Sequence, residues 1–572
     1  MNKYSLTPLK RFFRLLQVDK KEITSIYVFA LFNGIIVLSL PLGIQAIINL
    51  ISTGQVSTSW IVLVVFVILG IAFSGIIQIM QLVLAENIQQ KIFARSAFEF
   101  AYRIPRLRLE VIDKHYIPEL VNRFFDTLSV QKGLSKILLD FSSASLQVVF
   151  GLILLCLYHP FFILFSTMLV IILYFIFRLT SPKGLSTSIK ESANKYEVAH
   201  WLEELARNIG TFKLAGKTTL PLQKTDDVVV EYLDARKSHF KTLLVQYINL
   251  VGFKVLIALG LLLIGGLLVI NQQMNIGQFV ASEIIIILVL ASIEKLILSM
   301  ETIYDVLTSL EKIGNVVDIE LEKSESNYSP PIGDNGLTIE LKNLSYKFPD
   351  SEHYILQNID LQISAGEKIC LSGFNGSGKS FLLQVIAGLY YDFKGSILYN
   401  DIPFANWDKE YLRSYIGNCL TKEDIFKGSI IENITLGRES ISFEQVREAC
   451  KIVGLTDYIK NVEGGYENIL IPEGKNLSKT TRTKILLARS IAHNSKLILI
   501  EDSFIELDKI ERDKFLNHLL SLKSTVIIIS SNIEVASMFE RVIVLEKGNI
   551  IADDKFKNIK NNNWFNQVFQ KK

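Results

Sequence analysis

Six long apolar runs occupy the first half of the chain, and only short ones follow. The long runs cover about 25–51, 60–84, 137–158, 160–178, 244–270 and 276–300. Each meets the roughly 20 mostly apolar residues that a helix needs to cross a hydrocarbon core, so the pattern predicts six membrane spans. His159 alone separates the third run from the fourth. Pro160 suits a first helical turn, which predicts a tight hairpin there. Beyond residue 337 the apolar runs shorten to 368–371 (KICL), 497–500 (LILI) and 525–529 (TVIII). These read as buried parallel strands of a soluble α/β domain. Between the two regimes, 318–336 (DIELEKSESNYSPPIGDNG) trades periodicity for charge, Ser, Pro and Gly, as a linker does. The expected organisation is a cytoplasmic segment 1–24, a six-helix transmembrane domain 25–317, a linker 318–336 and an α/β domain 337–572.

Charge between the runs orients them. The loop 52–59 (STGQVSTS), His159 and the turn 271–275 (NQQMN) hold no Lys or Arg. The segment after span 2 carries Lys91, Arg95, Arg103, Arg106, Arg108, Lys114, Arg123, Lys132 and Lys136. The segment after span 4 is similarly basic, from Lys183 to Lys237. Basic segments stay on the cytoplasmic side, so both termini are expected there. The two basic segments keep helical spacing, as in 196–208. Helical arms of 20–25 residues would reach roughly 30–38 Å beyond the bilayer. Inside the spans, Lys254 and Glu294 fall at about the same depth and are expected to pair. Lys295 should point elsewhere, and Glu283 is read as reaching headgroups or a neighbouring helix in preference to lining a polar cavity.

Composition narrows the classes. The chain has 572 residues, 49% hydrophobic and 20% charged, with a mean hydropathy of +0.33. A net charge of +3 argues against a nucleic-acid binder driven by bulk charge. Cys156, Cys370, Cys419 and Cys450 are scattered, without metal-ligand spacing or a disulfide framework. The basic, polar N-terminus does not read as a cleavable signal peptide.

The strongest chemical signal is Gly373–Ser380, GFNGSGKS, a G-x-x-x-x-G-K-S loop after KICL and before the helical FLLQVIAGLY. Gly373, Gly376 and Gly378, with Asn375 and Ser377, let backbone N–H groups curl around phosphate oxygens. Lys379 is placed to reach the β- and γ-phosphates, and the Ser380 hydroxyl to hold Mg²⁺. The helix that follows favours an anion at its N-terminus. The cofactors expected are ATP and Mg²⁺.

Taken with this loop, the whole chain resembles a bacterial ABC exporter half-transporter with fused membrane and nucleotide-binding domains. LPLGIQAIINLI in span 1 and INQQMNIGQFVAS entering span 6 resemble the haemolysin-secretion and peptide-exporter group. The fold implied is a six-span α-helical domain plus an ABC-type α/β P-loop domain. No N-terminal cysteine-peptidase domain is expected, because about 24 residues precede span 1. The resemblance places coupling helices near 113–120 and 202–212, and it gives Phe348 the role of stacking on adenine. The glutamine-loop position falls on Thr421, read as a weak stand-in at the metal and attacking water. The LSGGQ signature appears as Leu477-Ser478-Lys479-Thr480-Thr481, where Ser478 remains a hydrogen-bonding group and Lys479 and Thr480 replace glycines. As a phosphate contact, Ser478 is set evenly against an ordinary helix cap. The acidic strand end is Glu501-Asp502, the reverse of the family order. Glu501 is therefore assigned to the metal shell, and the shorter Asp502 to the attacking water. Ser531 stands where the family has its switch histidine.

Two readings stay open. In the first, the chain is the ATP-binding and permease subunit of an exporter, a slow ATPase moving a substrate (a peptide or protein by resemblance) across the bacterial inner membrane. It would need a second half-transporter, as homodimer or heterodimer, lipid around it, and room for a periplasmic adaptor. In the second, it is a non-hydrolysing, nucleotide-binding regulatory or structural membrane subunit. Whether it is an enzyme is left undecided by its altered motifs.

Overall fold

The computed structural model describes residues 7–52, 58–112, 117–322, 328–333, 335–349, 351–420 and 424–569. Two compact units emerge: Met1–Leu107 with Lys114–Glu320, and Arg108–Asp113 with Leu321–Lys572.

The helices of the first half are α1 (Pro8–Val18), α2 (Lys20–Val37), α3 (Ser39–Ser52), α4 (Thr58–Arg103), α5 (Leu109–Ile112), α6 (Ile117–Asn122), α7 (Asp126–Lys136), α8 (Ser142–Tyr158), α9 (Phe161–Arg207), α10 (Ile209–Leu214), α11 (Leu220–Ile270) and α12 (Ile276–Val317). All but α5 lie in the first unit. Among the described residues, six stretches are long and apolar enough to cross a membrane: Lys20–Ile51, Thr58–Arg106, Glu119–Tyr158, Phe161–Arg207, Leu220–Ile270 and Ile276–Val317. Each overlaps one of the six expected runs, and the protein is a multi-pass membrane protein. The helices run well past the apolar residues. At 51 residues, α11 is roughly 75 Å long, more than twice the hydrocarbon core.

Local chemistry sets the turns. His159 is extended (φ −158°, ψ 141°) and Pro160 caps α9, which makes the expected hairpin. Asn275 and Gln278 form a reciprocal capping box that starts α12 after its short turn. The first span is broken between Val37 and Ser39, where the Leu38 N–H turns back to the Ile35 and Ile36 carbonyls.

Polar contacts tie the apolar helices together. Lys254 Nζ lies 2.5 Å from Glu294 Oε2, so the expected intramembrane ion pair is formed. Where α9, α11 and α12 turn polar, a buried knot joins them. Gln246 Nε2 donates to Tyr304 Oη at 2.7 Å and to Thr180 Oγ1 at 2.9 Å. Ser188 and Thr308 hydroxyls meet at 2.9 Å, as do Thr187 Oγ1 and His239 Nδ1. Gly184 makes room for the Tyr304 ring: a Cβ there would stand 2.4 Å from two ring carbons.

The second unit is built on β1 (Ile339–Tyr346), β2 (Leu356–Ile363), β3 (Lys368–Gly373), β4 (Lys394–Tyr399), β5 (Ile402–Pro403), β6 (Ile416–Cys419), β7 (Gly428–Ser429), β8 (Ile469–Leu470), β9 (Leu497–Ile500), β10 (Thr525–Ile529), β11 (Arg541–Glu546) and β12 (Asn549–Lys555). One sheet has the order β12-β11-β3-β10-β9-β6, a smaller one β2-β1-β4-β5. The pairs β3/β10, β10/β9, β3/β11 and β6/β9 are parallel. The three short apolar runs are thus central strands, and every residue of β9 and β10 is buried. Ligands in open parallel sheets bind outside the carboxyl ends of such strands, and the loop Gly373–Ser380 leaves the carboxyl end of β3.

The segment 108–113 belongs to this second unit. Glu110, only 4% exposed, accepts the Tyr391 backbone N–H, and Arg108 Nη2 pairs with Asp392 Oδ1 at 2.7 Å. The docked helix is therefore α5, just before the expected 113–120, part of which (113–116) lies outside the described residues. Near the second expected position, α9 continues to Arg207 and the short helix that follows is α10.

Candidate nucleotide site

The loop after β3 has the backbone its glycines allow. Gly376 and Gly378 adopt φ of +74° and +95°, and Gly373 +143°. The three differ in surroundings. A Cβ on Gly373 would stand 2.1 Å from the Leu545 carbonyl oxygen, and one on Gly378 2.8 Å from that of Ile355. No atom lies within 4 Å of a Cβ on Gly376. Asn375 and Gly376 are exposed at the rim, while Ser377 is buried. The loop ends in α13 (Lys379–Ile386), whose N-cap is Gly378.

Lys379 arches over the loop. Its ammonium donates to the Gly373 and Phe374 carbonyls at 3.0 and 2.8 Å. Burial pulls its pKa below the usual lysine value, while the Asp502 charge opposes the shift. Ser380 Oγ donates to Glu501 Oε2 at 3.0 Å. The loop glycines, the lysine, the hydroxyl and one carboxylate of the acidic pair therefore meet in one place. Glu501 is buried and Asp502 half-buried.

Phe348 joins the same region from the antiparallel sheet. Its half-buried ring meets the edges of Tyr346, Phe381 and Tyr390 at 5.5, 5.6 and 6.3 Å. Phe381 follows Ser380 directly, so Phe348 stands beside the start of α13.

Of the remaining expected residues, Ser478 and Lys479 are engaged elsewhere in the chain. Ser478 caps the helix Lys479–Ile491, accepting the Thr481 N–H at 3.0 Å. Lys479 pairs with Glu506 at 2.7 Å. Ser531 is half-buried just past β10, whose neighbour is β3. Thr421 lies outside the described residues.

Residues that fit phosphate and magnesium are present. The Gly376 rim is open where a side chain would fill it, with a lysine ammonium behind it. Ser380 and Glu501 offer a hydroxyl and a carboxylate oxygen. Such a hard-oxygen pair suits Mg²⁺, which usually takes its other ligands from water and phosphate.

Two partners escaped the sequence. Glu506 lies 27 residues from Lys479 and carries no motif of its own. Arg413, in α14 (Lys409–Ser414), holds Glu322 through two bonds of 2.6 and 3.1 Å. It also donates to the Gly388 carbonyl, just past α13. A basic residue on a short helix gives no local sign of either contact.

Comparison with known proteins agrees with this geometry. Residues 23–293 match the family model for the ABC transporter transmembrane region, and residues 356–504 the one for the ABC transporter domain. The alpha-hemolysin translocation ATP-binding protein HlyB of Escherichia coli O157:H7 is 32% identical over 299 residues, 52% of this chain and 42% of that protein. The transport/processing ATP-binding protein ComA of Streptococcus pneumoniae serotype 4 is 24% identical over 455 residues, 76% of this chain and 61% of that one. The chain thus spans about half the length of the curated relatives it matches. A bacterial Atm1-family ABC exporter structure with ATP bound superimposes with a TM-score of 0.84 at 18% identity, over 95% of this chain and 96% of that one. With a membrane region and an ATP-binding domain of this kind fused on one polypeptide, the chain belongs to the ABC transporter family.

Proposed function

We propose that this chain is one half of an ABC exporter that binds ATP with Mg²⁺ and couples the nucleotide to outward movement of a substrate. The observation that carries the reading is the convergence of Lys379, Ser380 and Glu501 on one phosphate-binding loop, in a chain that also holds six spans. Lys379 would bind the β- and γ-phosphates, Ser380 and Glu501 the metal, and Phe348 the adenine face. Bound magnesium would neutralise charge developing on the phosphates. Asp502 would orient the attacking water, one methylene shorter than the family's glutamate. A misplacement of about 1 Å can cost roughly 10²-fold in rate. Burial draws the Lys379 pKa down, and the Asp502 charge beside it opposes that shift. The similarity to haemolysin-translocation and processing transporters supports a peptide or protein cargo, a second half-transporter as partner, an inner-membrane location and cytoplasmic termini.

One observation favours a second reading, in which the subunit binds ATP without turning it over. Ser478 is engaged as a helix cap and Lys479 is tied to Glu506, so both signature positions are committed within the chain. ATP binding could then shift a conformational equilibrium, provided the two states bind it with different affinity. ATPase activity of the purified protein, alone and with any co-purifying half-transporter, separates the two. Turnover abolished by Lys379→Ala supports the exporter. Tight nucleotide binding with no turnover in any assembly establishes the regulator. The double variant Asp502→Glu, Ser531→His should raise turnover if reach alone limits the rate.

A further inference from the structure

Between α11 and α12 the bundle leaves a groove unfilled. It holds about 370 Å³, inside the ~300–1,000 Å³ range of ligand sites. Its floor is apolar: Phe240, Leu243, Leu244 and Tyr247 come from α11, and Leu298 from α12. Arg236 and Glu301 line its polar end. The two charges differ in what they already hold. Arg236 is committed to Glu191 at 3.1 Å. Glu301 is exposed, and among the described residues no ion pair engages it. The same holds for Asp305, exposed one turn further along α12. The uncommitted charge at this groove is therefore negative.

The ion pair of the spans lies on the same side. Glu294 precedes Leu298 by one turn, about 6 Å by helical rise, and holds Lys254 of α11 at 2.5 Å. The Lys254 and Glu294 side chains are still 32% and 35% exposed. Ionised groups within a span face water or protein and not hydrocarbon, so this side of α11 and α12 is not a lipid face. Glu294, Leu298, Glu301 and Asp305 fall at i, i+4, i+7 and i+11, which is one face of a helix. Ile293, Leu296, Ile297 and Met300 beside them are buried. The face is thus the strip of α12 that packing leaves open.

We infer that this groove takes a cationic, amphipathic peptide segment as its ligand. Charge complementarity names the occupant. Apolar side chains of the segment fill the floor formed by Phe240, Leu244, Tyr247 and Leu298, and its lysine or arginine meets Glu301 and Asp305. At Glu294 the chain's own ammonium already stands where a cation of the segment would sit. Lys254 is therefore an internal competitor for that carboxylate. The inference names the class of cargo and rests on the exporter reading.

The test uses the full chain in phosphatidylcholine nanodiscs and two short fluorescent peptides, one alternating leucine with lysine, the other leucine with glutamate. Anisotropy, corrected with empty nanodiscs, should show the lysine peptide bound roughly tenfold or more tightly than the glutamate peptide, as charge-assisted contacts require. Glu301→Gln with Asp305→Asn should remove most of that preference, and Leu298→Trp, which fills the groove, should abolish binding. Lys254→Gln should strengthen lysine-peptide binding severalfold, because Glu294 loses its competitor. A pair that only braces the two helices would give weaker binding instead and overturn the inference. A fluorescent ATP analogue, titrated into the same nanodiscs, reads the exporter proposal separately. Nucleotide binding alongside equal affinity for the two peptides would overturn the groove and spare the exporter. Lysine-peptide binding untouched by Leu298→Trp would overturn it equally. So would a disulfide-linked dimer formed by Leu298→Cys and absent from the parent, since a second copy would then cover the groove.

Discussion

Two glycines of one loop should fail in different ways when given a methyl group. At Gly376, φ is +74° and nothing stands within 4 Å of the added Cβ. The folding cost is left-handed backbone strain alone, about 1–2 kcal/mol. That corresponds to a fall in melting temperature of a few degrees for a unit of this size. The methyl group would occupy the open rim where phosphate oxygens must approach. Losing one or two charge-assisted hydrogen bonds at about 1.5–3 kcal/mol each weakens nucleotide binding by roughly 10–100-fold or more. At Gly373, φ is +143° and the Cβ would lie 2.1 Å from the Leu545 carbonyl oxygen. That oxygen belongs to β11, paired with β3 at this very register, so it cannot yield. Strain of about 1–3 kcal/mol adds to overpacking of similar size, for a total near 4 kcal/mol. Titration with a fluorescent ATP analogue and a thermal unfolding scan, run on both variants, read the two effects apart. Gly376→Ala should bind poorly and melt almost normally. Gly373→Ala should unfold early whatever it binds. Binding by Gly376→Ala within twofold of the parent would refute the placement of phosphate at this rim.

Three other perturbations have defined outcomes. Burial, helped by the Arg438 charge, holds His493 down at about 4, against about 6.5 unfolded. Its folded pKa is the lower one, so stability is lost as pH falls from about 6.5 toward 4, about 3 kcal/mol in all, and His493→Gln should flatten that decline in pH-dependent unfolding. Arg413→Ala leaves Glu322, 11% exposed, without its guanidinium and should cost about 3 kcal/mol; adding Glu322→Gln should restore part of the melting temperature. Gly184→Ala gains about 1 kcal/mol of helix propensity but drives a methyl into the Tyr304 ring, for a net loss of about 1–2 kcal/mol in a detergent thermal-stability assay.

What the sequence made legible followed from local pattern. Six spans, the hairpin at His159 and Pro160, the strands KICL, LILI and TVIII, and the loop ending in Lys379 and Ser380 all declare themselves over a few residues. Contacts between distant segments did not. Nothing local shows that Glu110 meets Tyr391, or that Lys479 meets Glu506. Glu501, assigned to the metal shell from the reversed order of the acidic pair, accepts the Ser380 hydroxyl at 3.0 Å. Ser478, evenly balanced on paper between phosphate contact and helix cap, caps the helix Lys479–Ile491. The long polar extensions of α4, α9, α11 and α12 carry helical spacing but no apolar run to mark their ends, so only their apolar portions could be bounded.

The Gln246–Tyr304 knot has a mechanical consequence. Three helices meet there through hydrogen-bonded side chains, with a glycine opposite a tyrosine ring. To slip one helix along another by even a single turn, the Gln246, His239 and Ser188 bonds would have to break together. α9, α11 and α12 therefore travel as one strut. Any flexing of the membrane unit falls to softer places, and among the described residues the break between Val37 and Ser39 in the first span is one of them.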